Sequence, residues 1–169
     1  MNRGGFSIVE IVITITVLAI LLTLGVVSMN AAQVNARDAE RKADMESLAM
    51  IFEEYRKNPA SGQDGYRDFS GYTYPDAVTI DTANYFNKVF ADIDPSIVRA
   101  PGIERHSPMS LKSHYYAPQP SLTEYSYEPL NENNEPCYDF IVFGPCTKFN
   151  LYYRLEKDNS IQKIMSKNQ

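Results

Sequence analysis

The chain has 169 residues, enough for one small domain and one membrane segment. Its net charge of −5 argues against electrostatic binding of nucleic acid as the main activity. No nucleophile elbow, P-loop, dinucleotide fingerprint or metalloprotease helix is present, and two cysteines with two distant histidines lack the usual zinc spacing. We therefore expect no enzyme, no cofactor and no metal site.

The first element is a long apolar segment. From Ile11 to Met29 the sequence contains no charged residue, and a helix of this length reaches nearly the ~30 Å of a hydrocarbon core. A single segment in a bilayer satisfies its own backbone only as a helix. Glu10 lies at the start of this segment, where a carboxylate costs about 2.5–3.5 kcal/mol and needs a partner.

Three interpretations of this segment are open. A secretory signal fits poorly, because Arg3 is the only basic side chain before the segment and no clean cleavage site follows it. A plain membrane anchor leaves Glu10 unexplained. The third interpretation is a processed filament subunit, in which a cut after Gly5 gives Phe6 a positive α-amine that pairs with Glu10 of a neighbour. This interpretation is favoured.

The heptapeptide Gly4-Gly5-Phe6-Ser7-Ile8-Val9-Glu10 resembles the class III signal of type IV pilins and type II secretion pseudopilins. The resemblance covers about residues 1–57. It implies that a prepilin peptidase cuts after Gly5 and methylates Phe6, and that Glu10 is the assembly carboxylate. Many pilins have a proline within the apolar helix, and this chain has none there.

The resemblance also implies partners and a location. The partners are copies of the chain and related pilins, the prepilin peptidase, an assembly platform with its ATPase, and membrane lipid before assembly. The chain would cross the inner membrane once, with Arg3 on the cytoplasmic side and the globular part outside, and would end in an extracellular pilus. The alternatives are a pseudopilin of a secretion system and a membrane-anchored binding protein that never polymerises.

The second half of the helix is amphipathic. Residues 31–57 are rich in helix formers, and Asn58-Pro59 stops the helix. The charged residues between Arg37 and Glu46 are predicted to form a solvated face. The opposite face carries an apolar stripe with helical spacing, which consists of Met45, Leu48, Ala49, Phe52 and Tyr55.

The globular part, residues 58–169, is predicted to carry strands at 124–128, 138–143, 148–155 and 160–165. Before them lie a loop at 59–76, a short helix from Asp81 or Thr82 to Ala91, and an irregular stretch at 99–122. The predicted fold is α+β and pilin-like: a helical spine packed against a small antiparallel sheet that covers the apolar stripe. The predicted segments are a leader (1–5), a transmembrane and assembly segment (6–30), an amphipathic helix (31–57) and the globular domain.

Four further sets of side chains bear on function. Cys137 and Cys146 favour a disulfide, with buried thiols as the alternative, because a straight strand between them would hold them too far apart. His106 and His114 are expected to be exposed rather than catalytic. The acidic turn 131–135 lacks an EF-hand pattern, so calcium is disfavoured there. The numerous tyrosines fit a sheet better than an adhesive surface.

Overall fold

The computed structural model describes residues 5, 7–57, 74–81, 93–103, 109–138 and 144–167. In these residues the chain is α+β, as predicted, with two helices and four strands. The chain divides into two compact units, Met1–Ala36 and Arg37–Gln169. The elements in chain order are α1 (Ile8–Lys57), α2 (Ala77–Asp81), β1 (Leu111–Ser113), β2 (Tyr125–Leu130), β3 (Lys148–Arg154) and β4 (Ile161–Met165).

Helix α1 begins at Ile8 because Ser7 caps it. The backbone amide of Val9 donates to the Ser7 hydroxyl at 3.3 Å, and the amide of Ile11 donates to the Ser7 carbonyl at 3.2 Å. Phe6, the predicted first helical residue, lies outside the described residues. The helix ends at Lys57, as the following Asn-Pro dipeptide predicts.

The predicted apolar stripe of α1 forms the centre of the core. Met45, Leu48 and Phe52 are fully buried, and Tyr55 is nearly so. The Phe52 ring meets the rings of Tyr127 on β2 and Phe149 on β3 edge-on, with centroids 5.0 and 5.7 Å apart. The sheet therefore covers this stripe, and edge-to-face packing adds to the free energy of apolar burial.

The sheet has the order β1-β2-β3-β4 and is mixed, so the prediction of a purely antiparallel sheet was wrong. The pairs β2–β3 and β3–β4 are antiparallel, whereas β1 runs parallel to β2 with Leu111 opposite Tyr125. After β1 the amides of Tyr116 and Ala117 donate to the Ser113 carbonyl, so the chain turns there. The connection 114–124 then carries the chain back, and β2 starts at the same end as β1.

The predicted strands have three outcomes. Those at 124–128, 148–155 and 160–165 correspond to β2, β3 and β4. Strand β1 lies in the stretch that was predicted to be irregular. In the predicted strand at 138–143, Tyr138 is not in a strand and residues 139–143 lie outside the described residues, as do most of the predicted 59–76 loop and of the helix ending at Ala91.

The charged side of α1 is only partly the predicted solvated face: Lys42 and Glu46 are exposed, whereas Asp38 and Arg41 are buried. Arg41 is 2% exposed and Asp38 is 8% exposed. Asp38 Oδ1 accepts from Arg41 at 2.9 Å and from the Glu156 amide at 2.7 Å, and Asp38 Oδ2 accepts from the Lys157 amide at 3.0 Å. Arg37 binds both oxygens of the Glu156 carboxylate, and this hydrogen-bonded pair lowers the pKa of Glu156. These charges join α1 to the turn after β3.

Candidate functional site

The N-terminal half of α1 presents an apolar surface without a covering element in the described part of the chain. Its large apolar side chains are exposed, from 49% at Val12 to 82% at Ile8. By length and composition, α1 contains one segment that can cross a membrane, which is compatible with a single-pass membrane protein. A secretory signal near the N-terminus satisfies the same criterion.

The threonine side chains within this segment are satisfied by the helix itself. The hydroxyls of Thr14, Thr16 and Thr23 each donate at 2.8 Å to the carbonyl three residues earlier, on Ile11, Ile13 and Ile20. A hydroxyl that is already hydrogen-bonded costs little free energy in an apolar environment. The threonines therefore leave the segment suited to lipid or to the interior of a helix bundle.

Glu10 is the charged side chain at the start of this segment. It lies exposed in the first turn of α1, where the positive end of the helix dipole favours a carboxylate. Among the residues that the structure describes, its side chain has no ion-pair or hydrogen-bond partner. Gly5 is exposed, and a Cβ atom built there would meet no atom within 4 Å. Phe6 lies outside the described residues.

Gly25 lies on the same segment, and its Cα faces open space. Apart from the backbone of its own helix, a Cβ atom built at this position meets no atom within 4 Å, so no contact in the described part of the chain requires a glycine there. Glycine in a membrane helix lets a second helix approach its backbone closely. This position is therefore available for helix–helix packing between chains.

Cys137 and Cys146 form the expected disulfide, with their Cα atoms 5.7 Å apart. This distance excludes a straight strand across the nine positions that separate them, and Gly144, two residues before Cys146, has φ at +78°. Backbone hydrogen bonds fix both ends: the Cys137 amide donates to the Pro129 carbonyl, and the Tyr74 amide donates to the Cys146 carbonyl. Both cysteines are buried, and such a bridge is typical of an oxidising compartment.

The described residues contain no group of three or more histidine, cysteine or acidic side chains placed to hold a metal ion. In the 131–135 turn, the Lys148 ammonium donates to the Glu132 carbonyl and to Asn134 Oδ1, and so takes oxygens that a calcium ion would need.

His114 is partly exposed, and its Nδ1 lies 3.0 Å from the Ser126 hydroxyl. His106 lies outside the described residues.

Comparison with known proteins yields no relative: the chain matches no protein-family model, and no curated protein or solved structure is significantly similar to it.

Proposed function

We propose that the chain is a structural subunit of a type IV pilus-like surface filament. In this proposal a prepilin peptidase removes residues 1–5 and methylates Phe6, and the mature subunit waits in the inner membrane with its globular unit outside. Assembly by a platform protein and its ATPase then moves the apolar half of α1 from lipid into the filament core. The filament would serve adhesion, motility or DNA uptake.

The observation that carries the proposal is the Glu10 carboxylate, which has no partner among the described residues and lies at the start of an exposed apolar helix whose threonines are internally hydrogen-bonded. An unpaired carboxylate near hydrocarbon is costly, and a cut after Gly5 would create a cation four residues before it. The buried disulfide supports export of the globular unit to an oxidising compartment.

Charge pairing between subunits gives Glu10 a role in assembly. Along a helix, Glu10 lies about 6 Å from the residue-6 position of its own chain, so a lone subunit can pair the two groups itself. In a filament, the α-amine of an incoming subunit would pair with Glu10 of a neighbour and set the axial position of one helix against the other. The low dielectric of the filament core strengthens this attraction.

Processing is tested by intact-mass and N-terminal analysis of the mature chain. The proposal expects a chain that begins with N-methylated Phe6, and expects Gly5→Leu to accumulate in the membrane uncut. A mature chain that begins near Ala31 or Ala32 would instead establish a secretory signal and contradict the proposal.

The assembly role is tested with Glu10→Gln as the only copy of the chain. Because the substitution leaves the α-amine unpaired in an apolar core, we expect the yield of sheared filaments to fall at least about tenfold. A tenfold fall requires a loss of only about 1.4 kcal/mol in the free energy of assembly. The control is Glu46→Gln, since Glu46 is an exposed carboxylate of the same helix. Normal filament yield from Glu10→Gln, at membrane levels equal to those of the control, would refute the role of Glu10.

A further inference from the structure

Three tyrosines form an aromatic cluster on the surface of the Arg37–Gln169 unit. Tyr115 and Tyr116 lie on the turn after β1 and are 73% and 62% exposed. The Tyr115 ring lies 5.0 Å, centroid to centroid, from both the Tyr116 ring and the Tyr138 ring. Most other tyrosines of the sheet are buried, so this exposure is specific to the cluster.

The backbone holds this cluster in place. The Tyr116 amide donates to the Ser113 carbonyl at 3.1 Å, and the Val78 amide on α2 donates to the Tyr138 carbonyl at 3.3 Å. The hydroxyls of Tyr116 and Tyr138 lie 3.2 Å apart, and this hydrogen bond raises the pKa of Tyr138 to about 12. The hydrogen bond therefore links the Tyr116 and Tyr138 side chains within the cluster.

A cavity of about 440 Å³ opens beside Tyr116 and Tyr138, within the range of about 300–1,000 Å³ that is usual for small-molecule sites. Its polar lining is mixed, because Lys112 supplies a donor whereas Asp81 and Glu124 supply acceptors. Asp81 Oδ1 accepts from the Ser113 amide at 2.8 Å. Asp81 Oδ2 is buried and has no hydrogen-bond partner in the described part of the chain.

Because Asp81 Oδ2 is closed to solvent, an acceptor that the cavity offers to a ligand hydroxyl is the exposed Glu124 carboxylate. The fully buried Ser113 hydroxyl is likewise without a partner among the described residues. Ser113 lines a second, mainly apolar cavity of about 180 Å³ that also borders Tyr138. Tyr138 therefore borders both cavities, of which the larger one carries the charged side chains.

We propose that the cavity between Tyr116, Tyr138, Asp81 and Glu124 binds a pyranose-containing glycan. The apolar C–H face of a pyranose packs on a tyrosine ring, whose face is electron-rich, while its hydroxyls donate to the Glu124 carboxylate and accept from Lys112. The geometry favours a neutral sugar over an organic cation. Lys112 in the lining can donate to a sugar hydroxyl, whereas it would repel a cation.

The proposal uses only residues of the Arg37–Gln169 unit and does not rest on filament assembly. It is tested on the unassembled full chain in a polyoxyethylene detergent, because detergents with sugar head groups would compete for the site. An array of mono- and disaccharides identifies the best binder, and titration calorimetry then measures its dissociation constant, with choline chloride as a competing cation.

We expect a saccharide to bind, and we expect Tyr116→Ala to weaken that binding by about tenfold or more, as loss of one stacking aromatic does. Tyr116→Phe keeps the ring and should keep most of the affinity. Met50→Ala, at an exposed position on α1, serves as the control and should change nothing. The proposal is overturned if no saccharide binds, if Tyr116→Ala binds as the wild type does, or if choline displaces the sugar at equal concentration.

Discussion

At the residue scale, Asp38 shows how one carboxylate can connect distant parts of the chain. Its two oxygens accept from the Arg41 guanidinium and from the backbone amides of Glu156 and Lys157. The sequence shows Asp38 and Arg41 three residues apart on a helix, a spacing that is usual for solvated pairs. It does not show that Glu156, more than a hundred residues later, returns to them, so the burial of this cluster could not be predicted.

Asp38→Ala should destabilise the protein by about 3 kcal/mol, because it leaves Arg41 with a single weak carboxylate contact and removes the acceptor of two backbone amides. Denaturant unfolding of the full chain in detergent measures the change. Glu46→Gln is the matched control, since its ion pair with Lys42 is exposed and 3.8 Å long, and it should change stability by less than about 0.5 kcal/mol. Equal stability of the two variants would mean that the buried cluster contributes no net free energy.

At the element scale, local patterns were sufficient for α1 and for the β3–β4 hairpin, whereas the direct pairing of β2 with β3 was not predicted, because a strand at 138–143 was expected between them. Helical spacing predicted the buried stripe, and the short turn at 157–159 predicted the antiparallel pairing of β3 with β4. Strand β1 has only three residues, lies among prolines and pairs in parallel across a long connection, so no local turn signals it. Short strands held by non-local pairing are where sequence patterns carry the least information.

Phe52→Ala tests the packing of α1 against the sheet. The ring is fully buried and contacts Tyr127 and Phe149 edge-on, so its removal should cost about 3–5 kcal/mol through lost burial and the cavity left behind. Met50→Ala, on the same helix but 63% exposed, should cost less than about 0.5 kcal/mol. Thermal unfolding followed by circular dichroism compares the two variants, and similar melting temperatures would contradict the buried stripe.

At the scale of the whole molecule, the two candidate sites differ in how far the sequence reveals them. Gly5, Phe6 and Glu10 are neighbours in the chain, so their spacing is recognisable in the sequence alone. The cavity beside Tyr116 combines side chains from α2, β1 and the connection before β2 with Tyr138 beside the disulfide. Its residues carry no shared motif, and only the fold brings them together.

The two units of the chain differ in how their apolar side chains are buried. The buried core draws its helix residues from Met45 onward and its remaining residues from the Arg37–Gln169 unit. The N-terminal half of α1 instead exposes its apolar side chains and contributes none to that core. An exposed apolar surface of this length is a liability in water and is useful only against lipid or other chains. The stability of the globular unit should therefore not depend on the first thirty residues.

A fragment of residues 31–169 tests this independence. We expect it to be soluble and monomeric without detergent, to retain the Cys137–Cys146 bridge, and to keep the near-ultraviolet circular dichroism of buried Tyr125 and Tyr127. Its melting temperature should lie within about 5 °C of that of the full chain in detergent, since a shift of that size corresponds to only about 1–2 kcal/mol. The fragment should fail to enter filaments, because it lacks Glu10 and the apolar segment. A fragment that stays unfolded under oxidising conditions would show that the globular unit depends on the N-terminal half of α1.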